Sequence, residues 1–579
     1  MFIIPKPQEL KIFDERIRIK SLKIVTDNQE INDFTDAYCD ASSCIVTSFS
    51  FDKDLKKEKY KITVNKDGIS VKYGTVEGAY RAFSTLKQII STSENNEVPY
   101  LELTDYPAID NRGYMLDISR GKTPTLEYLK KLVDILSDLK YNQLQLYMDT
   151  FVYEYKNFPE YWKDTEPITN QEIRKLDAYC KARFIKLVPN QNSFGHMIAW
   201  TEKPELSHLA ITKDGKPSQT LNPLLDETME FIDKVYDGYF DAFSADMVNI
   251  GMDEPFELGL SETKEACEKY GVGKVYTDYL NKVCKLITEK YNKIPMFWDD
   301  IVFKHDDQLD NIPKNAIVME WGYETEQHFD RNCRHLQERN LRFYVCPGTS
   351  MWGSFTGRTN NAIVNIITSA ETGNYYGAEG FLLTEWGDGG HPQFAYTSYF
   401  PLVFGGAASW NCLSHDTEIG YNQRADLIFD CKQYLDKYIY KTTSEVSLAD
   451  IVCRLGNFYL LEDCLQFNGT QLMNCLRMPE KITDQKIRAF ARIIPYIEGL
   501  LSELDTVEAN DIALRQIRLN AQMILFALKY LTCKKEECKL NINELISEFE
   551  YLWKLDNRVT GMNIFVDFIK SLFCNFKEA

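Results

Sequence analysis

Apolar and polar positions alternate at Tyr60, Ile62 and Val64, and again at Ile69, Val71 and Tyr73. That two-residue period predicts half-buried strands, and Asn65-Lys66-Asp67-Gly68 between them predicts a hairpin turn. From about Thr75 to Ile90 the period becomes helical, with Ala79, Phe83, Leu86 and Ile90 on one face. The polar stretch from Ser91 to Glu97 reads as a loop. Residues 1–105 are therefore expected to form a small α/β domain.

From Tyr106 to about Cys412 short apolar runs alternate with helical segments. Eight runs read as strands: Tyr114–Leu116, Gln143–Tyr147, Ile185–Val188, Met247–Ile250, Pro295–Phe297, Ile317–Met319, Phe343–Val345 and Phe381–Leu383. Thr123-Pro124 is expected to cap one helix, with Leu126, Leu129, Val133, Leu136 and Leu139 facing inward. Thr169-Asn170-Gln171-Glu172 is a capping box before another. Eight β/α repeats over residues 106–412 predict an α/β fold of the (β/α)8 TIM-barrel type, and a doubly wound open sheet is the alternative.

Beyond about Leu413 the strand pattern fades. Asp450–Leu461, Asp484–Leu504, Asp511–Leu531 and Asn541–Leu552 read as amphipathic helices, so residues 413–579 are expected to form a helical C-terminal domain.

Composition narrows the function classes. Of 579 residues, 44% are hydrophobic, enough for a large core, and the net charge is −19. An acidic chain is a poor partner for nucleic acid or an anionic membrane. The Lys56-Lys57-Glu58-Lys59 run reads as a solvated loop. The 15 cysteines are scattered singly; the closest pairs, Cys39 with Cys44 and Cys533 with Cys538, lack the His partners of a zinc site. They read as free thiols in a reducing compartment. No basic leader precedes a long apolar run at the N-terminus, and no run of ~18–20 apolar residues occurs. The expectation is a cytoplasmic protein with no metal or cofactor; a homodimer stays open.

In a barrel the active site lies at the C-terminal ends of the strands. His196 follows the third run and Asp253-Glu254 the fourth. Trp298 follows the fifth, Trp321 the sixth, Trp352 the seventh, and Glu385, Trp386 and Asp388 the eighth. Aromatic faces cover the C–H surface of a pyranose, and carboxylates accept bonds from its hydroxyls. Asp253-Glu254 is the sharpest feature. Neighbours on a regular strand point to opposite faces, so both can reach one ligand only if the chain turns there. Repulsion between them is expected to raise the pKa of one, as suits a general acid beside an ionised partner.

These segments resemble glycoside hydrolase family 20, the β-N-acetylhexosaminidases. The likeness runs through Ile4-Pro5-Lys6-Pro7-Gln8 and the whole barrel. Asn111-Arg112-Gly113-Tyr114-Met115-Leu116-Asp117-Ile118-Ser119-Arg120 looks like the family's first barrel strand, and Gly195-His196-Met197-Ile198-Ala199-Trp200 like its Gly-His segment. Asn249-Ile250-Gly251-Met252-Asp253-Glu254 looks like its Asp-Glu signature. The helical third domain looks like a bacterial, intracellular branch.

The resemblance implies an exo-acting, retaining, substrate-assisted hydrolase of oligosaccharides or glycoconjugates ending in GlcNAc or GalNAc. Glu254 would be the acid and then the base. Asp253 would orient the substrate's 2-acetamido group, which attacks C1. His196 would support the acid. Arg112 is expected at O3/O4 and Glu385 at O4/O6, with Arg120 as the substitute for Arg112 and Asp149 as a further hydroxyl ligand. Three departures bear on pocket shape. Asn249 and Met252 stand at variable places of the signature. Leu383 stands where a Trp two residues before Glu385 is usual. After the seventh strand Trp352 occurs in the region of the usual Tyr. A glycosidase for another N-acyl sugar and a non-catalytic sugar-binding protein are the competing readings.

Overall fold

The computed structural model describes residues 1–19, 21–36, 44–412, 417–532 and 542–574. Cys39, Cys533, Cys538, Leu413 and Asn541 lie outside the described residues.

The N-terminal residues form a six-stranded mixed sheet in the order Glu9–Arg18, Glu97–Asp105, Tyr60–Asn65, Gly68–Tyr73, Cys44–Phe51 and Ser21–Val25. The expected hairpin pairs Asn65 with Gly68 across a two-residue turn. Helix Val76–Ser91 covers the sheet, and the Thr75 side chain caps it by accepting from the Gly78 amide. Ala79, Phe83 and Leu86 are buried against Ile62, Val71 and Leu101.

All eight predicted runs are strands of one closed, parallel barrel: Asn111–Asp117, Gln143–Met148, Lys186–Gln191, Met247–Asn249, Ile294–Trp298, Ile317–Trp321, Arg342–Cys346 and Gly380–Glu385. Closure comes from the eighth strand pairing with the first, Gly380 opposite Asn111 through Glu385 opposite Leu116. That pairing excludes the open sheet. The interior is filled by Met115, Met247, Met296, Met319, Tyr344 and Leu382. Tyr344 fits because Gly380 lies against it; a Cβ there would meet the ring at 2.4 Å.

Two local readings are corrected. Thr125, not Thr123, caps helix Leu126–Asp138, its hydroxyl accepting from the Tyr128 amide. Thr123 instead donates to the Ile118 carbonyl at 3.2 Å, inside the turn that leaves the first strand. The Lys56–Lys59 segment is also not wholly solvated. Glu58 is buried and pairs with Arg81 at 3.1 Å and Arg112 at 2.6 Å, tying the N-terminal sheet to the floor of the barrel.

Helices Leu448–Leu455, Gln471–Arg477, Asp484–Leu504, Asp511–Leu531, Ile542–Asp556 and Met562–Cys574 pack beside the barrel. The first is shorter than its periodicity predicts, since a break at Gly456 and Asn457 turns Phe458–Leu461 into a 3-10 turn. Asn520 donates to the Pro392 carbonyl at 3.5 Å and Thr125 to the Asp556 carbonyl at 3.2 Å, so these helices grip the loops around the first and eighth strands. Among the described residues no helix is long and apolar enough to cross a membrane, and Cys180, Cys267, Cys284, Cys333, Cys346, Cys412, Cys431, Cys453, Cys464 and Cys475 are free thiols.

Candidate active site

A pocket opens at the C-terminal end of the barrel, lined by Arg120, His196, Asp253, Glu254, Trp298, Trp321, Tyr323, Trp352, Trp386, Asp388 and Asn468.

The carboxylate pair reaches it because the chain leaves the fourth strand through left-handed backbone. Gly251, Met252 and Glu254 have φ of 72°, 77° and 50°. Glycine adopts this without cost, whereas Met and Glu are strained. The kink is over-determined. The Asn192 Oδ1 accepts from the Met252, Ser193 and Phe194 amides at 3.2, 2.8 and 3.2 Å. Tyr276 donates to the Met252 carbonyl at 3.2 Å. Gly195 presses on the turn so closely that a Cβ would lie 2.0 Å from the Asp253 carbonyl oxygen.

His196 Nε2 lies 3.2 Å from Asp253 Oδ2 and 3.3 Å from Glu254 Oε2, bridging the pair. Asn192 Nδ2 donates to Asp253 Oδ1 at 2.7 Å. Burial alone would raise the Asp253 carboxyl, but the His196 charge and the bonds from His196 and Asn192 hold it below the ordinary range. Burial would likewise depress His196, yet the Asp253 charge outweighs it and pushes the imidazole up to about 10. The site therefore carries an imidazolium between its carboxylates at neutral pH.

Burial, and then repulsion from Asp253, push a further carboxyl next to the pair, Asp300, up to about 7. Its Oδ2 accepts from the Glu254 amide at 3.3 Å, and Lys304 is 3.9 Å away. A raised folded-state pKa means the folded chain holds a proton that the unfolded chain has lost between about pH 3.8 and about pH 7. Stability should fall as pH rises through that window. Asp300→Asn keeps an acceptor for the Glu254 amide and removes the titration. The variant is expected to gain on wild type between pH 4 and pH 8 by at most about 4 kcal/mol. Urea midpoints at both pH values check this, and parallel pH dependence of the two proteins would refute it.

Facing the pair, Arg120 is held by Asp117 at 2.6 Å, Asp149 at 3.5 Å and Asp388 at 3.6 Å, its guanidinium over the rings of Tyr147 and Trp386. Asp117 also accepts from the Gly387 amide at 2.9 Å, stitching the first strand to the loop after the eighth. Trp386 donates to the Tyr323 hydroxyl at 2.8 Å. Tyr323 stacks on Trp321 with centroids 5.0 Å apart and meets the Trp352 edge at 5.0 Å.

Most of the residues singled out from the sequence meet here: His196, Asp253, Glu254, Trp298, Trp321, Trp352, Trp386 and Asp388. Asp149 sits just behind, buried against Arg120. Two do not reach the pocket. Arg112 is buried at the opposite end of the barrel, bonded to Glu58 and to the Lys140, Ile109 and Asp110 carbonyls and lying over Trp410. It starts its strand, some 20 Å of backbone rise short of the loops, and losing one partner of such a buried pair costs about 3–5 kcal/mol. Glu385 points outward, because Leu382 and Thr384 take the inward places of its strand. It accepts from Tyr114 at 2.6 Å and lies 3.7 Å from buried His391. Arg120 and Asp388, rather than Arg112 and Glu385, line the pocket, and Trp386 stands two residues before Asp388, the spacing that the resemblance expects between a Trp and the late-strand carboxylate. Tyr323, from the loop after the sixth strand, supplies the phenol that is absent after the seventh. Among the described residues no cluster of His, Cys, Asp and Glu fits a metal.

The family model for the glycosyl hydrolase family 20 catalytic domain matches residues 110–376, and that for domain 2 of the same family matches residues 1–106. Together they span well over half of the chain. The chain belongs to glycoside hydrolase family 20. Within that family it is 24% identical over 293 residues to the β-hexosaminidase subunit beta of Entamoeba histolytica, covering 46% of this chain and 51% of that protein. The chain spans about half the length of the curated relatives it matches. The fold resembles the Flavobacterium johnsoniae chitobiase, with TM-score 0.62, 16% identity, and 96% of this chain and 98% of that one covered. It also resembles an exo-β-N-acetylglucosaminidase of family 20 from Vibrio harveyi, solved with N-acetylglucosamine, with TM-score 0.57, 18% identity, and 74% and 77% covered.

Proposed function

We propose that this family 20 protein is an exo-acting, retaining β-N-acetylhexosaminidase that removes terminal GlcNAc or GalNAc with the substrate's own acetamido group as nucleophile. One observation carries the reading: two adjacent carboxylates, turned into one pocket by left-handed backbone at Glu254 and bridged by His196. An ordinary retaining glycosidase needs its nucleophile and its acid on opposite sides of C1, about 5–5.5 Å apart. Neighbouring side chains approach from one side, so the attacking group must come from elsewhere. Asp253 is poorly placed for attack in any case, since Asn192 and His196 already engage its two oxygens.

Each residue then has a task that its environment supports. Glu254, one-third exposed at the pocket mouth, gives its proton to the glycosidic oxygen and later takes one from water. Asp253, held ionised, accepts the acetamide N–H and stabilises the positive charge that grows as the carbonyl oxygen closes on C1. Trp298, Trp321, Trp352 and Trp386 wall the N-acetyl group and ring away from water, and Tyr323 offers a hydroxyl to the cyclising carbonyl. Arg120 and Asp388 bind the ring hydroxyls through charge-assisted bonds.

A panel of nitrophenyl β-glycosides tests this. The N-acetylglucosaminide or N-acetylgalactosaminide should be cleaved, while the glucoside and galactoside stay inert. Equal rates on plain and N-acetylated sugars would overturn the reading, because the nucleophile would then be the protein's.

A further inference from the structure

The helical C-terminal region sends one segment into the pocket. Residues 462–470 run between the 3-10 turn Phe458–Leu461 and helix Gln471–Arg477, and Asn468 lines the same cavity as Asp253, Glu254 and Arg120. The segment is fastened to loops that follow the sixth and seventh barrel strands. Its Asn468 amide donates to Glu324 Oε1 at 2.9 Å. Glu324 is itself gripped by both ends of the Arg358 guanidinium at 2.8 and 2.9 Å, and Arg358 also donates to the Gln466 carbonyl at 3.2 Å. Thr470 donates its amide to the Gly353 carbonyl at 3.0 Å. Gly353 and Gly469 lie back to back: a Cβ on Gly353 would come within 2.5 Å of the Asn468 carbonyl oxygen, and one on Gly469 within 2.8 Å of the Gly353 carbonyl oxygen.

Asn468 adopts left-handed backbone with φ of 53°, a conformation asparagine tolerates better than most residues. Its side-chain Oδ1 is buried and has no hydrogen-bond partner in the protein. A buried amide oxygen left unpaired is costly, and no protein bond to that oxygen anchors the side chain on the wall of the cavity that Asn468 lines, so the amide is free to turn toward a hydroxyl bound there. A second residue of the same region, Arg477, donates to the Asp388 carbonyl at 3.5 Å, so both sides of the segment abut the sugar-binding loops.

We propose that Asn468 is a substrate-binding residue whose side-chain amide bonds a hydroxyl of the terminal N-acetylhexosamine, so that the helical C-terminal region completes the pocket. This rests on the functional reading above. Asn468→Gly is the variant of choice, because glycine keeps the left-handed backbone and removes only the amide. Against the parent aryl glycoside its kcat/KM should drop about 3–10-fold, the size of a lost neutral hydrogen bond. The 3-, 4- and 6-deoxy versions of that glycoside separate contact from structure. For the one lacking the contacted hydroxyl, variant and wild type should be equal; for the others the 3–10-fold gap should persist. An equal loss on every deoxy substrate, or no loss at all, would overturn the assignment. Should the variant fail to fold, a wild-type structure with bound N-acetylhexosamine decides: a hydroxyl within hydrogen-bond distance of the Asn468 side-chain amide supports the proposal, and none there overturns it. Inactivity of the wild type on every N-acetylhexosaminide would instead strike down the functional reading, and this ligand with it.

Discussion

Glu254→Gln is expected to lower kcat/KM on a natural disaccharide by about 10²–10⁴-fold, the usual worth of a positioned general acid. Glutamine keeps the volume and can keep the contact with His196, so the pocket should stay intact and KM should move little. The loss should shrink on a nitrophenyl glycoside, whose leaving group departs without a proton. That contrast between good and poor leaving groups separates proton donation from mere binding, which would be lost equally on both. Steady-state kinetics of both substrates check it. Wild-type turnover of the disaccharide by Glu254→Gln would remove Glu254 from the mechanism.

Asp253→Asn should cost a comparable factor, about 10²–10³-fold, although no bond to Asp253 ever forms. The variant deletes a charge aimed at the cation that develops on the acetamido group, in a dry site where such a charge is worth most. It also deprives His196 of the neighbour that raises its pKa, since the Asp253 charge is the leading cause of that rise. A thiazoline analogue of the cyclised sugar imitates the intermediate and should bind wild type far more tightly than substrate does. Its inhibition constant should rise in Asp253→Asn alongside the loss of rate. The contrary result is a stable 2-fluoro sugar adduct on Asp253 seen by mass spectrometry, with no inhibition by thiazoline. It would make Asp253 the nucleophile and replace the substrate-assisted scheme.

Much of the fold was legible because its signals are local. The two-residue period at Tyr60–Val64 and Ile69–Tyr73, the turn between them, the capping box at Thr169 and the eight apolar runs each depend on neighbours in sequence, and each is present in the structure. The acidic pair was legible for the same reason: it ends an apolar strand at the catalytic end of a barrel. The two misplaced ligands failed for a reason equally physical. Arg112 and Arg120 sit at opposite ends of one seven-residue strand and its loop, and Glu385 and Asp388 lie three residues apart. Arg112 misses the pocket because it begins its strand, whereas Glu385 misses it by the inward and outward alternation of side chains, which a single residue of slip reverses.

By itself the sequence determined the barrel, the helical third region, the Asp253-Glu254 pair and the tryptophan-rich rim, because period, turn chemistry and chain order suffice for those. Only the tertiary structure decided what surrounds the pair. The left-handed turn at Glu254 is stabilised by Asn192 and Tyr276 from other strands and helices. Asp300 reaches the Glu254 amide from the next strand, Tyr323 enters from the loop after the sixth, and Asn468 arrives from the helical region 214 positions beyond Glu254. None of these contacts has a local signature. They exist because barrel closure and the packing of the C-terminal helices bring distant segments to one rim.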